Sequence, residues 1–336
     1  LTEEEMPSND WKVVLLHTQK NTLLKRAFET SFRDRVLSLH VPTLGEEKYS
    51  WRTTRKALVN YFRRQVYDSG IWDGRVLTIY GDGELHHSTY ALTQFARERR
   101  GLGYEGRDWT YFHCDQHRDD WGQRLPNGEP YQIDCASFVD SIAHYHQAVP
   151  FMIGPEVYAK KDSQGYRIGG EEIPIYSNQF PKSLQESKGW RSNSVLQGLT
   201  DARRLPSRRD LRETPTESYL SFDLDLLSPT EIVTNYDQNE YMTLRSLVPI
   251  LDRIREYKRI FSADMLGFPD ACEHPLSVLT MVILARKIMG MGTSRLFEYH
   301  TYAKRRQAGR KTNLKYWDRK SPIEEGELME LLKWAR

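Results

Sequence analysis

Three strand-like runs in this chain end in histidine or aspartate, and this restricts its fold more than any other feature. RVLTIYG (75–81) leads into GDGELHHS, which carries His87. DWTYFH (108–113) leads into HCDQHRDDW (113–121), which holds Asp115, His117 and Asp119 in a D-x-H-x-D core. YLSFDLD (219–225) closes on Asp223 and Asp225. Neighbouring aspartates on an apolar strand are costly to bury unless cations meet them. In open α/β sheets, ligands bind outside the carboxyl ends of the strands. The pattern predicts a sheet that brings three strand ends to one crevice.

The rest of the chain fits such a sheet. β-branched and aromatic runs predict strands over 12–17, 75–80, 109–114, 148–153, 219–225 and 259–265. Longer patterns predict helices over 53–67, 89–100, 136–147, 246–257, 275–289 and 324–334. Alternating strands and helices imply βαβ units, with helices on both faces of a parallel sheet. The expected architecture is a single α/β domain over 1–336, with three layers (α/β/α) around a central, mostly parallel sheet. A segment over 1–74 precedes the first cluster. The polar stretch at about 158–216 reads as a substrate-facing insertion or as a disordered connector. A basic segment occupies about 302–336. Its YAKRRQAGRKTNLKYWDRK (302–320), with Tyr316 and Trp317 among Lys and Arg, reads as a docking surface or as a solvated face.

Bulk properties narrow the class. At 336 residues the chain has ample length for a core, and 39% hydrophobic with 28% charged residues is ordinary for a soluble protein. A net charge of +2 gives no case for nucleic acid. Three cysteines (Cys114, Cys135, Cys272) suit a reducing compartment better than a disulfide framework. No run of about 18 apolar residues is present, so no membrane span is expected. The acidic, polar LTEEEMPSNDWK is unlike a signal peptide. The expected location is the cytoplasm.

Two histidines and four aspartates form a donor set suited to hard divalent ions such as Mn²⁺. Two such ions about 3.5–4 Å apart make the usual two-metal clamp. At an effective dielectric of about 20 their mutual repulsion is roughly 20 kcal/mol. Four ionised aspartates offset that repulsion. On an extended chain, period-2 spacing puts residues 115, 117 and 119 on one face, and 223 with 225 likewise. Alone, D-x-D on a strand is more often a capping or salt-bridge pair than a ligand pair, and HHS says little. All three clusters in order, each at a strand end, point to a binuclear metallohydrolase.

Together ELHHS (84–88), DQHRD (115–119) and SFDLDLLSP (221–229) resemble the G-G-D-H-S, D-A-H-x-D and S-x-D-x-D-x-x-D-P motifs of the ureohydrolases, the arginases and agmatinases. The resemblance implies an arginase-like fold and two Mn²⁺ per chain. It implies that His87 and Asp119 bind one ion, His117 and Asp225 the other, and that Asp115 and Asp223 bridge both. It also makes Asp119 the catalytic group that takes up the nucleophile's proton. The chain departs from the pattern in three places. Ser228 stands for a non-ligand Asp. The family's proton-shuttle histidine has no match in PYQIDCASF (130–138), where Gln132 lies near its position. FSADMLGFPDACEHP (261–275) keeps Asp264 but has Gly267 where a substrate-binding Glu is expected, leaving Asp264, Asp270 and Glu273 as candidate substrate-binding carboxylates. A helix N-terminal role is the alternative for Asp270 and Glu273.

These departures resemble a peptide arginase, which converts arginine side chains of a ribosomal precursor peptide to ornithine, releasing urea. The implied partner is a precursor peptide, leader plus core, with no nucleic acid or membrane involved. The alternatives are hydrolysis of free arginine, agmatine or another small guanidino compound, a deacetylase-like amide hydrolase with one Zn²⁺, and a non-catalytic metal-binding protein. His86, His113, His144 and His146 are possible acids, or else ordinary core and surface histidines.

Overall fold

The structure, a computed structural model, describes residues 10–17, 22–40, 50–51, 55–66, 74–81, 83–103, 106–117, 119, 132–154, 160–162, 165–168, 171–172, 191–193, 206, 208–234, 238, 242–268, 273–307 and 321–335. Side-chain alternation decides its architecture. Val13 and Leu15 enter one core while Val14 and Leu16 enter a second. Leu77 and Ile79 divide in the same way from Val76 and Tyr80, and Phe112 and Cys114 from Trp109 and Tyr111. Successive strand residues face opposite sides, so the sheet is buried on both faces, as parallel sheets generally are.

The central sheet has eight strands: β1 (Trp11–His17), β2 (Val36–His40), β3 (Arg75–Tyr80), β4 (Trp109–Cys114), β5 (Val149–Ile153), β6 (Arg191–Asn193), β7 (Glu217–Asp223) and β8 (Arg259–Leu266). Their order is β6-β5-β4-β7-β8-β3-β1-β2. Every pairing within this sheet is parallel. Short antiparallel pieces at Lys160–Asp162, Gly165–Ile168 and Glu171–Glu172, and at Ser50–Trp51 with Gln132–Ile133, lie apart from it.

Nine helices are described: α1 (Leu23–Phe32), α2 (Arg55–Val66), α3 (Thr89–Arg100), α4 (Phe138–Tyr145), α5 (Arg208–Glu213), α6 (Leu244–Tyr257), α7 (Pro275–Ile288), α8 (Ser294–Gln307) and α9 (Glu325–Trp334). Local chemistry sets their ends. Thr22 caps α1 through its hydroxyl, which accepts from the Lys25 amide, supplying a partner that the first turn lacks. Gly101 closes α3 at φ 67°, a conformation cheap only without a Cβ. Pro275 opens α7, and His274 caps it. α7 is apolar nearly all round and correspondingly buried.

The N-terminal segment is more than an approach to the first cluster. β1, α1 and β2 build one side of the sheet. The 158–216 stretch contributes the edge strand β6 and helix α5, while most of it, like residues 308–320, lies outside the described residues. One sequence expectation fails locally. The predicted strand to residue 225 stops at Asp223, and Leu224–Leu226 form a 3₁₀ turn.

Leu279 of α7 is fully buried in the larger core. Leu279→Ala should cost about 2–5 kcal/mol in urea unfolding and leave metal stoichiometry unchanged.

Candidate metal centre

The carboxyl ends of β3, β4 and β7 carry the site. β3 ends at Tyr80, and Gly81 turns the chain at φ 44°. Leu85 leaves no room for a side chain at Gly81, since a Cβ there would lie 2.3 Å from Leu85 Cδ1. The 3₁₀ turn Gly83–Ser88 then brings His86 inward before α3. His86 Nδ1 lies 3.1 Å from Asp115 Oδ2, 3.0 Å from Asp119 Oδ2 and 3.5 Å from Asp223 Oδ2. His87, the residue expected here, is also fully buried. Its neighbour His86 makes these contacts to Asp115, Asp119 and Asp223 and joins the donor group with His113 and Asp115.

β4 supplies the second cluster. The Asp115 amide donates to Ile153 O at the end of β5, and Asp115 Oδ1 accepts from the His117 amide at 2.6 Å. His117 Nδ1 lies 2.9 Å from Asp225 Oδ2 and 3.5 Å from Asp115 Oδ1. Asp119 sits at φ 50°, where side chains are strained but Asp is among the better tolerated. Its carbonyl accepts from Val139 at the start of α4. The extended period-2 arrangement expected for 115–119 is thus replaced by a bend. β7 ends in Asp223, whose Oδ1 accepts from the Asp225 amide at 3.0 Å, and Asp225 Oδ1 accepts from the Gln116 amide at 3.2 Å. A turn, not a strand face, carries Asp225.

Two donor groups result: His86, His113 and Asp115, and Asp115, His117 and Asp225, each with ligand atoms within 4.8 Å of one another. Asp115 is common to both. The electrostatics test whether cations fit. Burial, then the Asp115 charge, pushes Asp119 up to about 8, and the same two causes push Asp225 up to about 7. Burial, then Asp225 and Asp115, raises Asp223 well above the ordinary range. Burial also works against ionised Asp115, but His113, His117 and His86 hold it well below that range. Burial likewise opposes charge on His117, yet Asp115 and Asp225 push it up to about 12. Carboxylates this crowded resist ionising together. Divalent cations would remove that penalty, so the donor set fits a metal pair.

Support beneath the site is specific. His86 Nε2 is 3.0 Å from Ser221 Oγ, which donates to Asp264 Oδ1 at 2.6 Å, and Tyr219 OH donates to Asp264 Oδ2 at 2.9 Å. Asp264, expected at the substrate, is fully buried and holds the hydrogen bonds behind the His86 ring. Glu273 accepts from the Leu23 amide at 3.1 Å and so serves the N-terminus of α1. Asp270 lies outside the described residues. Gly267, at φ 91°, gives the Asp223 carboxylate its space, because a Cβ there would lie 2.1 Å from Asp223 Oδ1. Gln132 lies in the short antiparallel pair. His144 is half-buried, and buried His146 packs against Tyr90 and Thr93 of α3. Ser221 was missed from sequence, although two-residue spacing from Asp223 puts it on the same strand face.

No family model and no curated protein matches the sequence. Solved structures do. An arginase from Medicago truncatula aligns at TM-score 0.52 and 14% identity over 83% of this chain and 87% of that one. An arginase from Bacillus subtilis aligns at 0.52 and 14% over 84% and 99%. A hypothetical agmatinase from Burkholderia thailandensis aligns at 0.50 and 14% over 89% and 87%. The fold is that of the arginases. It brings Asp115, His117, Asp119, Asp223 and Asp225 together with His86.

Gly267→Ala should displace Asp223 and lower metal stoichiometry by elemental analysis, with secondary structure by circular dichroism unchanged. Ser221→Ala should weaken metal affinity about 10–100-fold, the usual effect of losing a partner behind a ligating histidine, measured by competition with a chelating dye.

Proposed function

We propose that this chain is a manganese-dependent hydrolase that cleaves the guanidinium group of arginine side chains in a peptide, leaving ornithine residues and urea. The observation that carries this reading is the convergence of four aspartates and two histidines at three strand ends of an arginase fold. Asp115, common to both donor groups, suits the bridging role. When bound, a pair of Mn²⁺ ions supplies hydroxide from water near neutral pH.

The chain's own residues do the rest. The aspartates set a negative field toward which a guanidinium, which stays protonated in proteins, is drawn. Asp119 holds the proton given up by the nucleophile. The nucleophile's oxygen bonds to the guanidinium carbon, the bond from that carbon to the side-chain nitrogen breaks, and the nitrogen leaves as an amine after taking up a proton. Ser221 and Asp264 keep the His86 ring oriented throughout.

One feature supports a peptide substrate. His117 is nearly half exposed, with 47% of its side chain accessible, and a centre reached from that side would admit a side chain carried on a longer chain. The names of the arginases and the agmatinase of the same fold support the second reading, a free guanidino substrate.

Incubation with Mn²⁺ and arginine-containing peptides should give urea, and mass spectrometry should show loss of CH₂N₂ per modified arginine. Turnover of free arginine or agmatine with untouched peptides would favour the second reading. Urea from neither would sink both. Asp115→Ala and Asp223→Ala should reduce urea release to background, and near-full turnover in either would remove the metal centre from the reaction.

A further inference from the structure

His113 opens HCDQHRDDW but lies outside its D-x-H-x-D core, yet it sits beside the same carboxylates. It stands two residues before Asp115 on β4, so strand alternation delivers both to one face. The side chain is fully buried. Its Nε2 lies 3.4 Å from Asp115 Oδ2 and 3.9 Å from Asp119 Oδ2. These are the same two oxygens that His86 Nδ1 meets at 3.1 and 3.0 Å. His86, His113 and Asp115 therefore present ligand atoms within 4.8 Å of one another, and Asp119 Oδ2 lies against both imidazoles.

The spacing of these atoms is informative. Ligand atoms about 2.1 Å from an ion, a usual metal–imidazole distance, lie about 3.0 Å apart at right angles and about 3.4 Å apart in a tetrahedron. The four imidazole–carboxylate distances here run from 3.0 to 3.9 Å. The rings are held in place. His86 and His113 stack at 5.3 Å and 28°, and Phe138 of α4 packs on both, at 4.4 and 5.7 Å. Behind His113, Nδ1 lies 3.5 Å from Tyr111 OH, a partner at the far nitrogen of the kind ligating histidines have. His117 O is 3.2 Å from Nε2, so an ordinary core histidine donating to a carbonyl is the competing explanation.

We infer that His113 is a metal ligand, and that with His86 it makes the inner position of the pair a two-histidine site. This rests on the two-cation reading above and deepens it. The outer position, around His117 and Asp225, then has one imidazole. Imidazole suits Zn²⁺, Fe²⁺, Ni²⁺ and Cu²⁺, whereas carboxylate suits Mn²⁺. The two positions therefore differ in donor set, the inner one being richer in imidazole and the outer one in carboxylate.

Co²⁺ titration followed by paramagnetic proton NMR tests this on the unaltered chain. Two buried ligating imidazoles should give two hyperfine-shifted N–H signals that exchange slowly with solvent, one from His86 and one from His113. A single such signal in a protein holding two Co²⁺ would overturn the inference while leaving the metal pair intact. A chain that binds no metal would overturn both. His113→Phe keeps a ring between His86 and Phe138. It should erase one signal and weaken Co²⁺ binding at the inner position about 10–100-fold, with the outer position unchanged. His113→Gln, which preserves a donor toward His117 O, should behave like His113→Phe. Wild-type affinity and both signals in either variant would make His113 a core residue only.

Discussion

Repulsion among buried carboxylates organises this molecule. Asp115, Asp119, Asp223 and Asp225 crowd the carboxyl ends of β4 and β7, and burial plus mutual charge pushes three of them toward protonation. Only Asp115, surrounded by histidines, is held the other way. A fold gains nothing in stability from such an arrangement. The cluster is coherent as a seat for divalent cations, and the backbone around it is shaped accordingly. Gly267 leaves Asp223 its space, Asp119 adopts a left-handed conformation, and the Gly81 turn feeds His86 inward.

The second organising element is the layer beneath the carboxylates. Tyr219, Ser221 and Asp264 form a buried hydrogen-bonded chain that ends on His86. Burial raises the Asp264 carboxyl even though Ser221 and Tyr219 donate to it. A carboxylate that the sequence offered as a partner for substrate is thus one layer too deep to touch it. The arrangement fixes one ring nitrogen of His86 from behind and leaves the other toward the acids, as histidines at metal sites are commonly held.

Much of this was legible in the chain. The strands over 75–80 and 109–114 and the helix over 89–100 match β3, β4 and α3, because apolar period and turn residues agree there with tertiary packing. The clustering of the four aspartates was legible too, since each lies at or just beyond the end of an apolar strand-like run. The choice between His86 and His87 was not. Motif spacing indicates His87, but the Gly83–Ser88 turn rotates successive residues by about a third of a circle, so one step decides which ring faces the acids. Extended spacing also misled at Asp225 and Asp119, where a 3₁₀ turn and a positive φ replace the strand. The roles of Glu273 and Asp264 depend on contacts with residues 250 and 43 positions away, which local pattern does not reveal. α1, β2, β6, α5 and α8 were not anticipated. Their runs are short or highly charged.

The position of β8 has a consequence for assembly. It lies between β7 and β3, so no neighbouring pair joins the His86 side of the sheet to the strands that bear the aspartates until it inserts. A ribosome emits β3 and β4 long before residue 266, and the intervening chain must wait with its donors dispersed. Parallel pairing across such separations is slow to form. Closure of the donor cluster therefore depends on that last strand of the sheet reaching its place between β7 and β3.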